Sequence, residues 1–433
     1  MSIIDVIEKK KEGNELSKEE IEFFINGYNN GEITDYQAAA LIMAICIKGM
    51  TVDEISDLTM AMANSGEMLD LSDIAPNTVD KHSTGGIGDK ITLILMPIVA
   101  SIGIPIVKMS GRGLGITGGT VDKLQAIPGY KTDIDIDEVK NNVEDIGIAL
   151  ISQSSNLAPA DKKMYALRDT IGCVDSVPLI ASSIMSKKIA SGAKNIILDV
   201  TCGKGAFMDT KTDAKNLSKV MKNIGKKAGR NVMCILTNMN EPVGYSVGNS
   251  LEVVEAVKAL KGEMTEDVRE IILTFGSYML KMAGLGDDLE ENEKRILKEI
   301  ESGKAYKKFV ELVGKQGGDI SYVENLEKFE KAPFIVPVKS ENSGYITDLS
   351  AELIGRVSVD LGAGRMKKED GIDHRVGIIV CKKTGDKVSK DEIIAYVHAN
   401  DSKKAEDAVL KVRNAYTILD KKVKKPSVIL DVL

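Results

Sequence analysis

Two glycine-rich segments lie close together in the chain, and each carries a lysine and hydroxyl side chains. The first is Lys81-His82-Ser83-Thr84-Gly85-Gly86-Ile87-Gly88. The second is Lys108-Met109-Ser110-Gly111-Arg112-Gly113-Leu114-Gly115-Ile116-Thr117-Gly118-Gly119-Thr120. Glycine lets a backbone turn sharply and approach a ligand closely. The N–H groups of such turns, and of a helix that follows, attract anions. Lysine charge and Ser/Thr donors then suit a phosphate held from two sides, because charge-assisted hydrogen bonds offset its desolvation. His82 sits inside the first segment, where an imidazole could move or donate a proton. His374 and His398 are expected at the surface of a C-terminal domain. Gly113 to Gly118 also matches G-x-G-x-x-G, so a dinucleotide turn competes. The donors crowded there (Lys108, Ser110, Arg112, Thr117, Thr120) exceed what a pyrophosphate on bare backbone needs. Neither segment fits the P-loop pattern.

These turns need a scaffold that aims them. A short strand, Thr78 to Lys81, leads into the first turn and a helix from about Asp89. A strand from Pro105 to Met109 leads into the second and a helix from about Thr120. Further strands at Ile148–Gln153, Asn195–Val200 and Val232–Asn238 alternate with helical stretches, which indicates a mostly parallel sheet covered on both faces. Ligand loops belong at the carboxyl ends of such strands. Ahead of the sheet, Ser17/Glu20, Thr34/Gln37 and Thr51/Glu54 fit capping boxes of a helical domain. Asp161 to Lys194 interrupts the strand alternation with helical sequence and is expected to return to those first helices. Ser183 and Lys187, four apart, share a helix face there. After Ser340, strands and turns around one short helix are expected. The run Lys382 to Ala395 has the look of a carrier hairpin but lacks Met-Lys-Met, so no carrier lysine is expected.

The chain has 433 residues, a net charge of −7, 43% hydrophobic and 4% aromatic residues. That length builds two or three domains. The acidic balance argues against nucleic-acid binding, while a local basic pocket can still hold a small anion. Cys46, Cys173, Cys202, Cys234 and Cys381 form no C-x-x-C pair, so reduced thiols in a cytoplasm are expected. No signal core opens the chain and its longest apolar runs are too short to span a bilayer, so no membrane role is expected.

The segments Asp80-Lys81-His82-Ser83-Thr84-Gly85-Gly86, Ser110-Gly111-Arg112-Gly113-Leu114-Gly115 and Thr117-Gly118-Gly119-Thr120-Val121-Asp122-Lys123-Leu124 closely resemble the thymidine and pyrimidine-nucleoside phosphorylases. So do Tyr165-Ala166-Leu167-Arg168-Asp169, Ala181-Ser182-Ser183-Ile184-Met185-Ser186-Lys187-Lys188, Gly205-Ala206-Phe207-Met208, and Gly362-Ala363-Gly364-Arg365 with Lys368-Glu369-Asp370. The resemblance covers essentially the whole chain. It implies an α/β fold with a separate helical domain, of the nucleoside phosphorylase/phosphoribosyltransferase kind: a helical domain (1–70, joined by 161–194), an α/β phosphate-binding domain with a mostly parallel sheet (71–160 and 195–335), and a C-terminal α+β domain (336–433). It implies a homodimer whose domains close around phosphate and a pyrimidine nucleoside.

Carried over, phosphate falls to Lys81, Ser83, Thr92, Lys108, Ser110 and Thr120, and the pyrimidine to Arg168, Ser183 and Lys187. His82, Arg168 and Lys187 are the implied catalytic groups. Phosphate would attack C1′ with inversion as negative charge grows on the leaving base. A potassium ion is implied at Gly88, Lys90, Val243, Ser246 and Glu255, with Lys90 a competing charge, and no organic cofactor. Lysine at 108, where deoxyriboside-restricted members have methionine, implies uridine, deoxyuridine and thymidine as substrates. Ile116, Gln125 and Thr201 depart from the family's usual histidine, glutamate and lysine. The alternatives are a strict thymidine phosphorylase, a phosphoribosyltransferase and a non-catalytic nucleoside-binding homologue.

Overall fold

A computed structural model describes the chain except residues 73–76, 114, 117, 154–155 and 366–369. Leu114 and Thr117 of the second glycine turn, and Lys368 and Glu369 of the last motif, therefore lie outside the described residues. The chain opens with helices α1 (Ile3–Lys11), α2 (Lys18–Asn30), α3 (Asp35–Lys48) and α4 (Val52–Ala63). Ser17/Glu20 and Thr51/Glu54 make reciprocal capping boxes, and the Gln37 carboxamide accepts from Thr34 N–H. Ile21, Phe24, Ile25 and Tyr28, at helical spacing, pack on Leu41, Ile42 and Ile45.

The parallel strands β1 (Val79–Ser83), β2 (Ile106–Ser110), β3 (Ile148–Ser152), β4 (Asn195–Cys202) and β5 (Asn231–Asn238) fall where the apolar runs predict them. β1, β4 and β5 form one ladder, and β2 pairs with β3 in a second. The strand Ile429–Val432 closes the β5 edge antiparallel. Helix α5 (Ile91–Ile102), buried almost throughout, follows the first glycine turn. The short α6 (Thr120–Leu124) follows the second, and α7 (Ile136–Ile146) precedes β3.

The interruption is two helices, α8 (Pro159–Thr170) and α9 (Val177–Ala190). Met164 of α8 and Leu179 of α9 join the first helices' core, while Ile180, Ile184, Met185 and Ile189 pack with β2, β3 and β4. Helix α9 is thus a shared wall, which is why it is buried nearly all round.

Among the described residues beyond 333, strands of two antiparallel sheets, one of them extended by Ser246–Val247, pack with two helices, Ala351–Leu361 and Ser402–Asn414, rather than the one expected. The second helix buries a stripe of small residues, Ala405, Ala408 and Val412, a weak apolar signal amid charge. His398 is buried on its strand and His374 half-buried, against the expectation of surface positions. Lys383, in the carrier-like hairpin, is pinned to Asp267 and the Pro242 carbonyl at 2.6 Å each. Among the described residues, no helix is long and apolar enough to cross a membrane.

Candidate active site

Strand alternation sorts the first turn. Successive residues of β1 point to opposite faces, so Lys81 faces away from Asp80 and His82. The fully buried Lys81 ammonium lies 2.9 Å from Asp199 on β4 and 3.6 Å from Asp89 ahead of α5. Burial works against its charge, but the two carboxylates outweigh it and raise its pKa. Asp89 is itself held down to about 2: burial opposes ionisation, while Lys81, Lys123 and hydrogen bonds from Ser83 and Ile91 N–H overcome it. Thr92 is buried in the first turn of α5.

The opposite face of β1 meets β2 and α9. Asp80 lies 2.6 Å from Lys188 and 3.7 Å from Lys108, so one carboxylate serves two buried ammoniums. Both lysines also donate to the Met109 carbonyl, Lys188 at 3.2 Å and Lys108 at 2.9 Å. Burial pulls Lys108 down to about 7; Asp80 resists this and Lys188 reinforces it. His82 is pushed well below its ordinary value, first by burial and then by Lys188, Lys108, Lys187 and Lys81. It is a neutral imidazole at pH 7. Ser110 ends β2 and Thr120 starts α6, both half-buried at the second turn.

The residues expected at the base lie on α8 and α9. The Lys187 ammonium contacts Ser183 Oγ at 2.7 Å and Asp161 at 2.5 Å. Arg168 is buried, and its Nε, Nη1 and Nη2 donate to the carbonyls of Cys173 (2.9 Å), Leu179 (3.0 Å) and Val174 (2.9 Å). It fastens the α8–α9 connection. A guanidinium has five N–H donors, and three of them are used in this clamp.

Sequence reasoning passed over Asp80, Asp199, Asp161 and Lys188. Asp80 and Lys188 stand beside Lys81 and Lys187 in the quoted motifs, and that adjacency was the available signal. The departures also have visible contacts. Thr201 Oγ1 accepts from Thr84 Oγ1 at 2.8 Å and donates to the Gly85 carbonyl at 2.6 Å, shaping the first turn. Gln125 accepts from Arg112 at 2.8 Å and donates to Thr132 at 3.2 Å. Ile116 packs against the main core. Arg365 reaches Asp122 at 2.9 Å, tying the last domain to the helix after the second turn.

At the five positions implied for potassium, Lys90 itself is the cation. Its buried ammonium donates to the Val243 carbonyl (2.7 Å), the Ser246 carbonyl (3.1 Å) and Glu255 Oε2 (2.9 Å). An ammonium is a donor and not a metal ligand. With it among these oxygens, the residues do not fit a potassium ion, and Lys90 is corrected from ligand to occupant.

A helical bundle joined to an α/β domain, with glycine-rich turns following its strands, defines a fold class that includes a phosphoribosyltransferase. The anthranilate phosphoribosyltransferase of Thermus thermophilus superposes with a TM-score of 0.60 at 18% identity, over 72% of this chain and 99% of that one. Three family models match in order: the glycosyl transferase family helical bundle domain (residues 4–66), the glycosyl transferase family a/b domain (75–306) and the pyrimidine nucleoside phosphorylase C-terminal domain (345–419). Pyrimidine-nucleoside phosphorylases of Staphylococcus epidermidis and Staphylococcus aureus are 50% identical over 421 and 420 residues, 97% of each chain. The chain belongs to this glycosyl transferase family, in its pyrimidine-nucleoside phosphorylase branch.

Proposed function

We infer that the chain catalyses the reversible phosphorolysis of pyrimidine nucleosides to free base and pentose 1-phosphate. The observation that carries this reading is the gathering of Lys108, Lys187 and Lys188 around His82, where one face of β1 meets β2 and α9. Phosphate is assigned to Lys81, Ser83, Thr92, Lys108, Ser110 and Thr120. Its attack on C1′ inverts the centre as the base departs. Arg168 and Lys187 are cations where negative charge grows on the base, and electrostatic stabilisation of that kind is a main source of rate. Ser183 holds the base beside Lys187. His82, neutral among four lysines, donates a hydrogen bond to a base carbonyl rather than a proton from an imidazolium. Uridine, deoxyuridine and thymidine are all assigned as substrates, on the presence of Lys108.

A homodimer belongs to the same reading. Tyr36, Met43 and Ile47 are exposed along α3 at helical spacing, an apolar stripe that a second copy would cover. The free cysteines suit a reducing cytoplasm.

The test mixes purified protein, phosphate and uridine, thymidine or deoxyuridine, and follows free base by chromatography. Phosphate-dependent release supports the reading and excludes a non-catalytic homologue. Release from the deoxyribosides alone would indicate a strict thymidine phosphorylase. No release from any nucleoside would overturn the assignment, and a need for magnesium with phosphoribosyl pyrophosphate would move the protein to the transferases. Light scattering at the mass of a monomer would remove the dimer.

A further inference from the structure

The cage around Lys90 joins separate parts of the molecule. Gly88 closes the first glycine turn, and Lys90 follows it two residues on. Val243 to Ser246 is a loop beyond β5, and Glu255 lies on the helix Asn249–Leu260. The same loop is held from its other side, where Asp267 accepts from Gly244 N–H at 2.9 Å and pairs with Lys383 of the last domain at 2.6 Å. Ser246–Val247 then pairs with the strand Gly377–Val380. One buried positive charge therefore fastens the phosphate turn to the loop that docks the C-terminal domain.

The cage is also complete. An ammonium has three donors, and here each has an oxygen within 3.1 Å: two carbonyls and one carboxylate. Glu255 spends its oxygens on Tyr245 N–H (2.9 Å) and Ser246 N–H (2.6 Å) besides Lys90. Gly88 adopts φ +73, and a Cβ there would meet the Val243 carbonyl oxygen at 2.6 Å. A Cβ on Gly244 would lie 2.6 Å from the ammonium itself. The backbone closes tightly around the ammonium.

We propose that the Lys90 ammonium is a resident, covalently tethered cation that replaces potassium, so that this protein folds and turns over without a monovalent metal ion. The turnover part rests on the proposed phosphorolysis; the folding and ion-content parts do not. The test compares wild-type protein in choline chloride and in potassium chloride at equal ionic strength. Thermal unfolding, ion content after gel filtration (by mass spectrometry) and uridine cleavage are read in parallel. Potassium is expected to leave the wild-type melting temperature unchanged, to be absent at stoichiometric level, and to alter the rate by less than about twofold.

Lys90→Ser leaves Glu255 without its cation, and removing one partner of a buried pair is strongly destabilising. The variant is expected to melt lower in choline and to lose about tenfold or more in rate, with both restored by potassium. Stoichiometric potassium on the wild type, or a potassium-specific rise in its melting temperature or rate, would overturn the proposal. So would a folded Lys90→Ser that behaves as wild type in choline, or one that potassium fails to restore. If Lys90→Ser does not fold, the wild-type arms decide alone. If no nucleoside is cleaved at all, the phosphorolysis reading fails, while the melting and ion-content arms still decide the cation.

Discussion

Lys81 and Lys108 lie mid-strand in β1 and β2, are both buried, and are both assigned to the proposed phosphate, yet they sit on opposite faces of β1 in opposite charge balances. Lys81 has two carboxylates within reach, Asp199 and Asp89. Lys108 shares Asp80 with Lys188. The first ammonium is held firmly charged, while the second is poised near neutral pH, at about 7. Burial is the leading influence on both. What separates them is the number of carboxylates per ammonium. On the proposed reading, one lysine is a fixed anchor, and the other is a cation that an arriving phosphate dianion would itself help to charge.

The largest test of this contrast removes the anchor. Lys81→Met leaves Asp199 and Asp89 buried without their cation, and should cost about 3–5 kcal/mol of stability in denaturant titration, with phosphate-dependent turnover lost. A stable, active variant would break the comparison at once. Next comes the shared carboxylate. Asp80→Asn removes the anion that supports the charge on Lys108, so its pKa should fall from about 7. Each pKa unit is worth about 1.4 kcal/mol, so sulfate affinity at pH 7 should drop about tenfold in calorimetry. Unchanged affinity would mean that Asp80 does not set the balance.

A pH series sharpens the same point. Sulfate keeps its charge across this range, whereas Lys108 is charged below about 7 and neutral above it. Sulfate binding should therefore weaken as pH rises through 7, and Lys108→Met should flatten that slope. The same variant should lose more uridine than thymidine turnover, and equal losses would refute a role in sugar choice. The smallest effect is expected at Gln125→Glu. Its bond from Arg112 survives as an ion pair at an exposed site, so stability should change by no more than about 0.5 kcal/mol.

The fold was legible wherever one local signal decided it. The capping residues Ser17 and Thr51, the apolar strands and the two glycine turns are written in short stretches of chain. The C-terminal helix Ser402–Asn414 escaped because its buried residues are mostly alanine. At the site, the cations were visible as residue types, but their partners were not. Asp199 comes from a strand more than a hundred residues away from Lys81, and period-two alternation alone cannot say which carboxylate crosses the sheet. Lys90 was recognised beside the implied potassium site, but its seating among three oxygens depends on how a distant loop folds back. Arg168 was expected at the base, and its clamp on three carbonyls needed the turn between α8 and α9 to be seen.

The strand Ile429–Val432 has a consequence for how the protein is made. It pairs with β5, and Leu433 exchanges backbone hydrogen bonds with Cys234. Until those residues leave the ribosome, the outer edge of β5 has no partner, although the rest of the central ladder has already been synthesised. Unpaired strand edges are templates for association between chains. A nascent or truncated chain lacking residues 429–433 should therefore be the form most prone to aggregate, and the most in need of a chaperone.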